Sequence, residues 1–530
     1  MFILAAGLLL SCLILGGATS YGYLSEALLQ LASIPVLLAG IWYMLDHPPH
    51  RQARWALIFC LTLVLVPLIQ LIPLPPGIWT NLPGRDVVAS TMKLTFPDLP
   101  WMPLSLSPRS TWLGLLALLP PLAIFLIVQQ LGYQARRHLS FMIIATGVIS
   151  VFLGLLQLMQ GPESSLRFFD FTNLHEAVGF FANRNHYAAL LYSILLFTAA
   201  WILAKLADPA GIHTKLHGFD TARIFFMLVG FTLIVVFIAG ILMARSRAGL
   251  GLTILAFIGI YLMSQTGRGS ENKNRSTKLI WAGMALTLMF ASQFALFRIM
   301  DRLGTSISGD LRVAFAQVTT KALWDTMPFG TGIGSFVPTF KLYETTADMP
   351  GYYYANHAHN DFLEAWLETG GVGLLILALF IAGYLYRTFK IWRTHLSGGR
   401  DIDHMLAKAA TIIILLLLLH SLVDYPLRTT AMLSIMTFAC ALLIEPPLVQ
   451  REQETADFGE FPRKSLERKR QKRGVDHQTQ TTAAWPKQTA IPAERAQKTL
   501  MDQPFWKDVE WPEEWRKSSD KRPKENDEKP

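Results

Sequence analysis

Long apolar runs separated by short polar joins fill the chain from its start to about residue 448, after which the pattern stops. The runs fall near 2–18, 25–45, 55–73, 111–130, 139–160, 185–206, 223–243, 247–265, 278–297, 367–387, 408–424 and 428–447. They are long enough to cross a hydrocarbon core about 30 Å thick, which takes roughly 20 helical residues. A helix satisfies its own backbone hydrogen bonds in lipid, so each run predicts a helix. The expected fold class is therefore all-α: a polytopic integral membrane protein of about twelve transmembrane helices. Two joins are tight, Ala244–Arg247 and Asp424–Arg428.

Two polar segments on one side of this pattern are long. Residues 74–110 are rich in proline and aromatic residues, which predicts a segment lying along the membrane interface. Residues 298–366 form the largest loop between spans, and a loop of that length is usually functional. From 449 to 530 the chain carries many charges of both signs and few aliphatic residues, the composition of a disordered tail. Its basic stretch Arg463–Arg473 suits either anionic lipid heads or a solvated linker. Trp506, Trp511 and Trp515 suggest a short docking helix in the same tail.

Composition sharpens this picture. Of 530 residues 52% are hydrophobic and only 16% charged, which a soluble protein would spread along its length. The net charge of +9 reflects topology rather than nucleic-acid binding. With the N-terminus inside, every cytoplasmic join is basic: Arg51 and Arg54; Arg136 and Arg137; Lys205 and Lys215; Arg268, Lys273, Arg275 and Lys278; and Arg387, Lys390, Arg393, Arg400 and Lys408. The tail then returns to the cytoplasm. The first run has no Lys or Arg before it, so it reads as a retained helix rather than a cleaved signal. Cys12, Cys60 and Cys440 lie inside apolar runs and read as small buried hydrophobes.

Five stretches carry candidate chemistry, all on or near the outer face in this topology. The first, Tyr352–Gly373, holds His357, His359, Asp361, Glu364 and Glu368 before a span that opens with Gly370, Gly371 and Gly373. A histidine at a membrane–water boundary titrates near neutral pH and suits a general base. In the second, Ala244–Gly251, Arg245 and Arg247 sit in a join too short to be a free loop. They either snorkel to the interface or hold an anion through forked guanidinium contacts. Arg312 precedes a glycine-rich turn, Pro328–Phe336, which lacks the strand–helix unit of a dinucleotide loop and reads as a backbone turn. Asn183, Arg184, Asn185 and His186 make an unusually polar span start, and His420–Arg428 closes the set.

Taken in order, these stretches resemble the shared domain of O-antigen ligases, O-antigen polymerases and related protein O-oligosaccharyltransferases. His359 and Asn360, nine residues, Gly370, two residues and Gly373 reproduce the ligase signature, with GTGIGSF, RSRAG and GFFANRNHY as supporting segments. The resemblance covers roughly residues 150–445. It implies N-terminal helices over 1–150, a catalytic membrane domain over 151–448 that includes a periplasmic loop at 298–366, and a cytoplasmic tail over 449–530. It also implies a glycan donor on undecaprenyl pyrophosphate, and an acceptor hydroxyl on lipid A–core or on a growing glycan, in the bacterial inner membrane with the site facing the periplasm. The transfer is expected to be inverting and metal-independent, with no cofactor and no nucleic-acid partner. His359 matches the proposed base, and Arg247, Arg312 and Arg245 the pyrophosphate arginines, with Asn360, His357, Asn183 and His186 in supporting places.

Two other readings stay open at this point. His357, His359 and Asp361 have a spacing that can chelate a metal, as in a hydrolase. A polytopic chain can also be a transporter or flippase, which would place polar residues near the midplane of several spans.

Overall fold

A computed structural model describes residues 1–19, 24–207, 221–265, 285, 289, 311–345, 354–393 and 401–445. The expected span at 278–297 apart from 285 and 289, the basic join at 268–278, Lys215, Arg400 and the 449–530 tail with its basic stretch and tryptophans lie outside them. Among the described residues nine helices are long and apolar enough to cross a membrane, and two shorter apolar helices, Phe2–Leu15 and Thr430–Leu442, accompany them. Every other expected span falls on one of these helices, so the mostly helical membrane architecture holds. Among the described residues the only sheet is a two-stranded antiparallel ladder pairing Pro73–Leu74 with Met102–Pro103.

Boundaries shift where local chemistry intervenes. The span expected at 111–130 is two helices, Pro108–Ala117 and Leu119–Gln129. Pro120 and Pro121 lack the amide donors that a continuous helix needs there, so the second helix begins afresh. The Asp361–Arg393 helix begins ahead of the expected 367 and carries Gly370 in a non-helical conformation. The described part of the long loop contains two helices, Leu311–Thr326 and Phe336–Tyr343. These pack Phe315, Val318, Leu323, Phe336 and Phe340 into an apolar cluster of their own with Ala358 and Leu367.

The Arg184–Ala207 helix is central. Its residues from Tyr187 to Ala200 are buried, against the helices Thr221–Ala244, Arg247–Gln265 and Ile402–His420. By contrast the Asp361–Arg393 helix exposes Leu375, Leu379, Leu385 and Phe389, an apolar face suited to lipid. The first helix seals Leu9, Cys12 and Leu13 into the main core. The long helix Tyr133–Gln160 runs through residue 150 without a break.

The two ends of the bundle differ in chemistry. At one end, Arg136 donates to the carbonyls of Val128, Gln129 and Leu131 and to those of Ala441 and Ile444, while Arg387 donates to Leu443. Arginine at helix C-termini satisfies carbonyls that no longer have an intrahelical partner. His359, Asn183 and the Tyr425 turn gather at the opposite ends of the same helices.

Candidate active site

The turn after the Ile402–His420 helix, Ser421–Thr429, organises the site. It contains two oppositely charged centres. Asp424 is fully buried, and its Oδ1 faces His359 Nδ1 at 3.1 Å. Asn185 Nδ2 donates to its Oδ2, and Arg312 Nη2 lies 3.9 Å from that same oxygen. The Tyr425 amide also donates to Oδ1, at 3.0 Å. Burial by itself would raise the Asp424 pKa. The His359 hydrogen bond and the electrostatic influence of His186, His359 and Arg312 outweigh it and hold the carboxyl well below the usual carboxylate range. Asp424 is therefore an anion.

The second centre is Arg428, which reaches three carboxylates. Nη1 donates to Glu368 Oε2 at 2.8 Å and lies 3.6 Å from Glu364 Oε1, while Nε lies 3.6 Å from Asp361 Oδ1. Each carboxylate is held elsewhere too. Asp361 Oδ2 accepts from Ser421 Oγ and from the Leu427 amide, and Glu368 Oε1 accepts from the Gly334 amide. Glu364 receives His357 Nδ1 at 2.8 Å and the Ala358 amide at 2.8 Å.

The two histidines of the first candidate stretch thus have different surroundings. His357 is buried, with Glu364 on Nδ1 and the Thr19 carbonyl on Nε2 at 3.0 Å. Both partners only accept, so both ring nitrogens donate and the ring is an imidazolium. Burial would lower its pKa, but contact with Glu364 raises it overall. A ring protonated on both nitrogens cannot serve as a base. His359 has one nitrogen on Asp424 and is 21% exposed. Its φ of 51° is left-handed, a costly conformation away from glycine that clusters at functional sites. The next residue locks it there: Asn360 Oδ1 accepts from the Leu363 amide as an N-cap, and Asn360 Nδ2 donates to the Leu422 carbonyl.

The other sequence candidates meet this network at different depths. Tyr425 is the shared packing surface, with the rings of His357, His359 and His186 at 4.3, 4.9 and 4.9 Å. Its hydroxyl accepts from Asn356 at 3.2 Å and also bonds Asn183. Asn183 Oδ1 accepts from the Asn185 amide, the cap that starts the central helix. His186 is fully buried behind Tyr425. Arg245 and Arg247 are exposed on either side of buried Ser246, whose Oγ donates to Asn185 Oδ1 at 2.7 Å. The tight join is therefore fixed to Asp424 through Asn185. Arg245 has a left-handed φ of 50°.

The glycine-rich turn is a backbone joint. Every amide from Gly330 to Ser335 donates within the protein, to Thr326 O, Leu367 O, Glu368 O, Gln70 Oε1, Glu368 Oε1 and Gly332 O in order. None is left to cradle a phosphate. Gly370 makes room for this turn: a Cβ on it, at its φ of 61°, would lie 2.2 Å from the Pro328 carbonyl oxygen. His357, His359 and Asp361 do not converge either. They take different partners, and no group of three or more His, Cys, Asp or Glu side chains among the described residues can hold a metal ion.

Asp424, Arg428, Tyr425, Asn185 and Ser246 carry the network, yet residue type alone gave them no roles. His420–Arg428 is conspicuous as a polar join between apolar runs, which was the available signal. Its pairing with residues 185 and 359–368 is a matter of tertiary contact.

The helices and this network define a polytopic membrane protein with a buried acid–base system at one end of its bundle. Residues 231–378 match the family model described as O-antigen ligase. The matched stretch includes Arg245, Arg247, Arg312, His357, His359, Asn360 and Gly370, and leaves out Asn183–His186 and Asp424–Arg428. A search of curated proteins finds no match. The family match supports the resemblance read from the motifs, and with it an O-antigen ligase- or polymerase-type function in polysaccharide biosynthesis.

Proposed function

We propose that the protein is an O-antigen ligase, transferring a glycan from undecaprenyl pyrophosphate to a hydroxyl of lipid A–core on the outer face of the bacterial inner membrane. The observation that carries this reading is the placement of His359 and Arg312 on the two oxygens of one buried carboxylate, Asp424. An anionic Asp424 keeps the His359 proton on Nδ1 and leaves the Nε2 lone pair to accept the acceptor's hydroxyl proton. The hydroxyl oxygen then bonds to the anomeric carbon as the carbon–phosphate oxygen bond breaks, and pyrophosphate leaves with the electron pair. Attack opposite the leaving group inverts the anomeric centre. Asp424 stabilises the imidazolium that results.

The leaving group needs fixed positive charge where its own charge develops. Arg312 supplies it beside the base, and Arg245 and Arg247 supply it from the join that Ser246 ties to Asn185. Guanidinium groups remain charged and grip phosphate oxygens in pairs, so this reading calls for no metal. Sidedness follows from charge. Arg136, Arg137, Arg387 and Lys408 gather at the ends of the helices away from His359, and basic joins favour the cytoplasm. His359 then faces the leaflet that presents the lipid-linked glycan.

Two measurements test the proposal. Purified protein given lipid-linked donor and lipid A–core should form the linkage, and the His359→Ala protein should not. Full activity of that variant sinks the role of His359. In a strain lacking the protein, long glycan stranded on the carrier lipid supports the ligase. Single repeat units already joined to lipid A–core point instead to a polymerase.

A further inference from the structure

The four residues after the first helix touch all three stretches that build the site. The Gly16 carbonyl accepts from the Ala431 amide at 2.9 Å, just beyond the Asp424–Arg428 turn. The Gly17 carbonyl accepts from the Ala182 amide at 3.0 Å, one residue before Asn183. The Thr19 carbonyl accepts from His357 Nε2 at 3.0 Å, two residues before His359. Ala18 packs with Phe169 and Ala182 in a small apolar cluster. Glu26, further along, accepts from Thr430 Oγ1 at 2.6 Å and repeats the tie to the last helix.

The fit leaves no room for a side chain. A Cβ on Gly17 would lie 2.1 Å from the Phe180 carbonyl and 2.8 Å from Phe181 Cα. One on Gly16 would lie 2.5 Å from the Cys12 carbonyl and 2.8 Å from the Ala431 amide nitrogen. The segment is also anchored from behind, because Leu9, Cys12 and Leu13 of the first helix are sealed in the core. It lies far outside the family match at 231–378.

We infer that the Gly16–Thr19 turn is a positioning element of the transfer reaction, which seats His357 and thereby aims His359. The inference rests on the reading of His359 as the base. The His357 imidazolium needs two acceptors, and the turn provides one of them while Glu364 provides the other. Glu364 also holds the Ala358 amide, and the His357 and His359 rings both pack on Tyr425. His359 sits at a left-handed φ between Ala358 and the capping Asn360, so it has little freedom to compensate for a displaced His357. Movement of the turn therefore moves the His359 ring relative to Asp424.

The test compares full-length Gly17→Ala, Gly7→Ala and His359→Ala proteins with the wild type, in steady-state transfer from the lipid-linked donor. Gly7 is on the helix that leads into the turn and a Cβ there meets nothing within 4 Å, so its variant should match the wild type. Gly17→Ala should lower kcat by roughly 10- to 100-fold, the cost of a misplacement near an ångström, with KM for the donor unchanged. A wild-type kcat, or a loss that only tracks the amount of folded protein, overturns the inference. Should Gly17→Ala fail to accumulate, His357→Asn, whose amide reaches the place of Nδ1 but not that of Nε2, breaks the same tie from the other side, and an unchanged kcat there overturns it equally. An active His359→Ala protein would remove the base reading itself. An inactive one beside a normal Gly17→Ala protein would remove only the role of the turn.

Discussion

Asp424 and Arg428 stand four residues apart in one turn and solve opposite problems. Around Asp424 a single buried anion collects donors: His359, Asn185, the Tyr425 amide and, at longer range, Arg312. Around Arg428 a single cation collects three carboxylates, Asp361, Glu364 and Glu368. The Arg428 carboxylates are each held by further donors, and His357, buried beside them, is held on both nitrogens. At Asp424, His359 and Arg312 remain partly exposed. On the proposed reading, the difference separates a group that exchanges a proton with the substrate from one that fixes the frame. It also separates two histidines that look alike in sequence: His359 belongs to the first centre and His357 to the second.

Four experiments would break or sharpen that contrast. The largest effect is expected for His359→Ala, a loss of about 10²–10⁴-fold in turnover with normal membrane insertion, measured as linkage formed per protein. Arg428→Leu should instead cost stability, about 3–5 kcal/mol, because it strands three buried carboxylates. A denaturation midpoint equal to the wild type's would show that the second centre is not structural. Asp424→Asn retains the shape but offers a donor to His359 Nδ1. Turnover should fall by about 10²-fold while donor KM holds, and wild-type turnover would separate Asp424 from the chemistry.

The smallest effect concerns pH. The raised pKa of His357 means that its protonated form is favoured in the folded chain. Its contribution to stability is complete below the ordinary value of 6.5 and is lost as the pH rises through the raised value. Thermal midpoints should therefore decline on the alkaline side in the wild type, and less so in His357→Gln. Parallel curves for the two proteins would contradict the imidazolium assignment.

Much of the fold was legible in the order of residues. Apolar runs of membrane length must become helices, since lipid offers the backbone no other partner, and the runs outside 278–297 all fall on helices. The break at Leu118 was legible in principle, from Pro120 and Pro121. Helices inside the long loop were harder to see, because they bury only one short apolar face against each other and against Ala358 and Leu367.

The site was legible as a set of suspects. Polar residues at the ends of apolar runs are costly enough to need a reason, and that marked out His357, His359, Arg245, Arg247, Arg312, Asn183, His186 and the Asp424–Arg428 join. What the sequence by itself determined was this membership, together with the helical, membrane-crossing character of the chain, because both follow from the local cost of placing polarity and backbone in lipid. Only the tertiary structure decided which histidine meets which carboxylate, that Asp424 and Arg428 head separate networks, and that Gly16–Thr19 joins them to the first helix. Apart from His357 with Glu364, those pairings link residues that belong to different elements and lie far apart in the sequence, and no local pattern records which helix ends will meet when the helices pack.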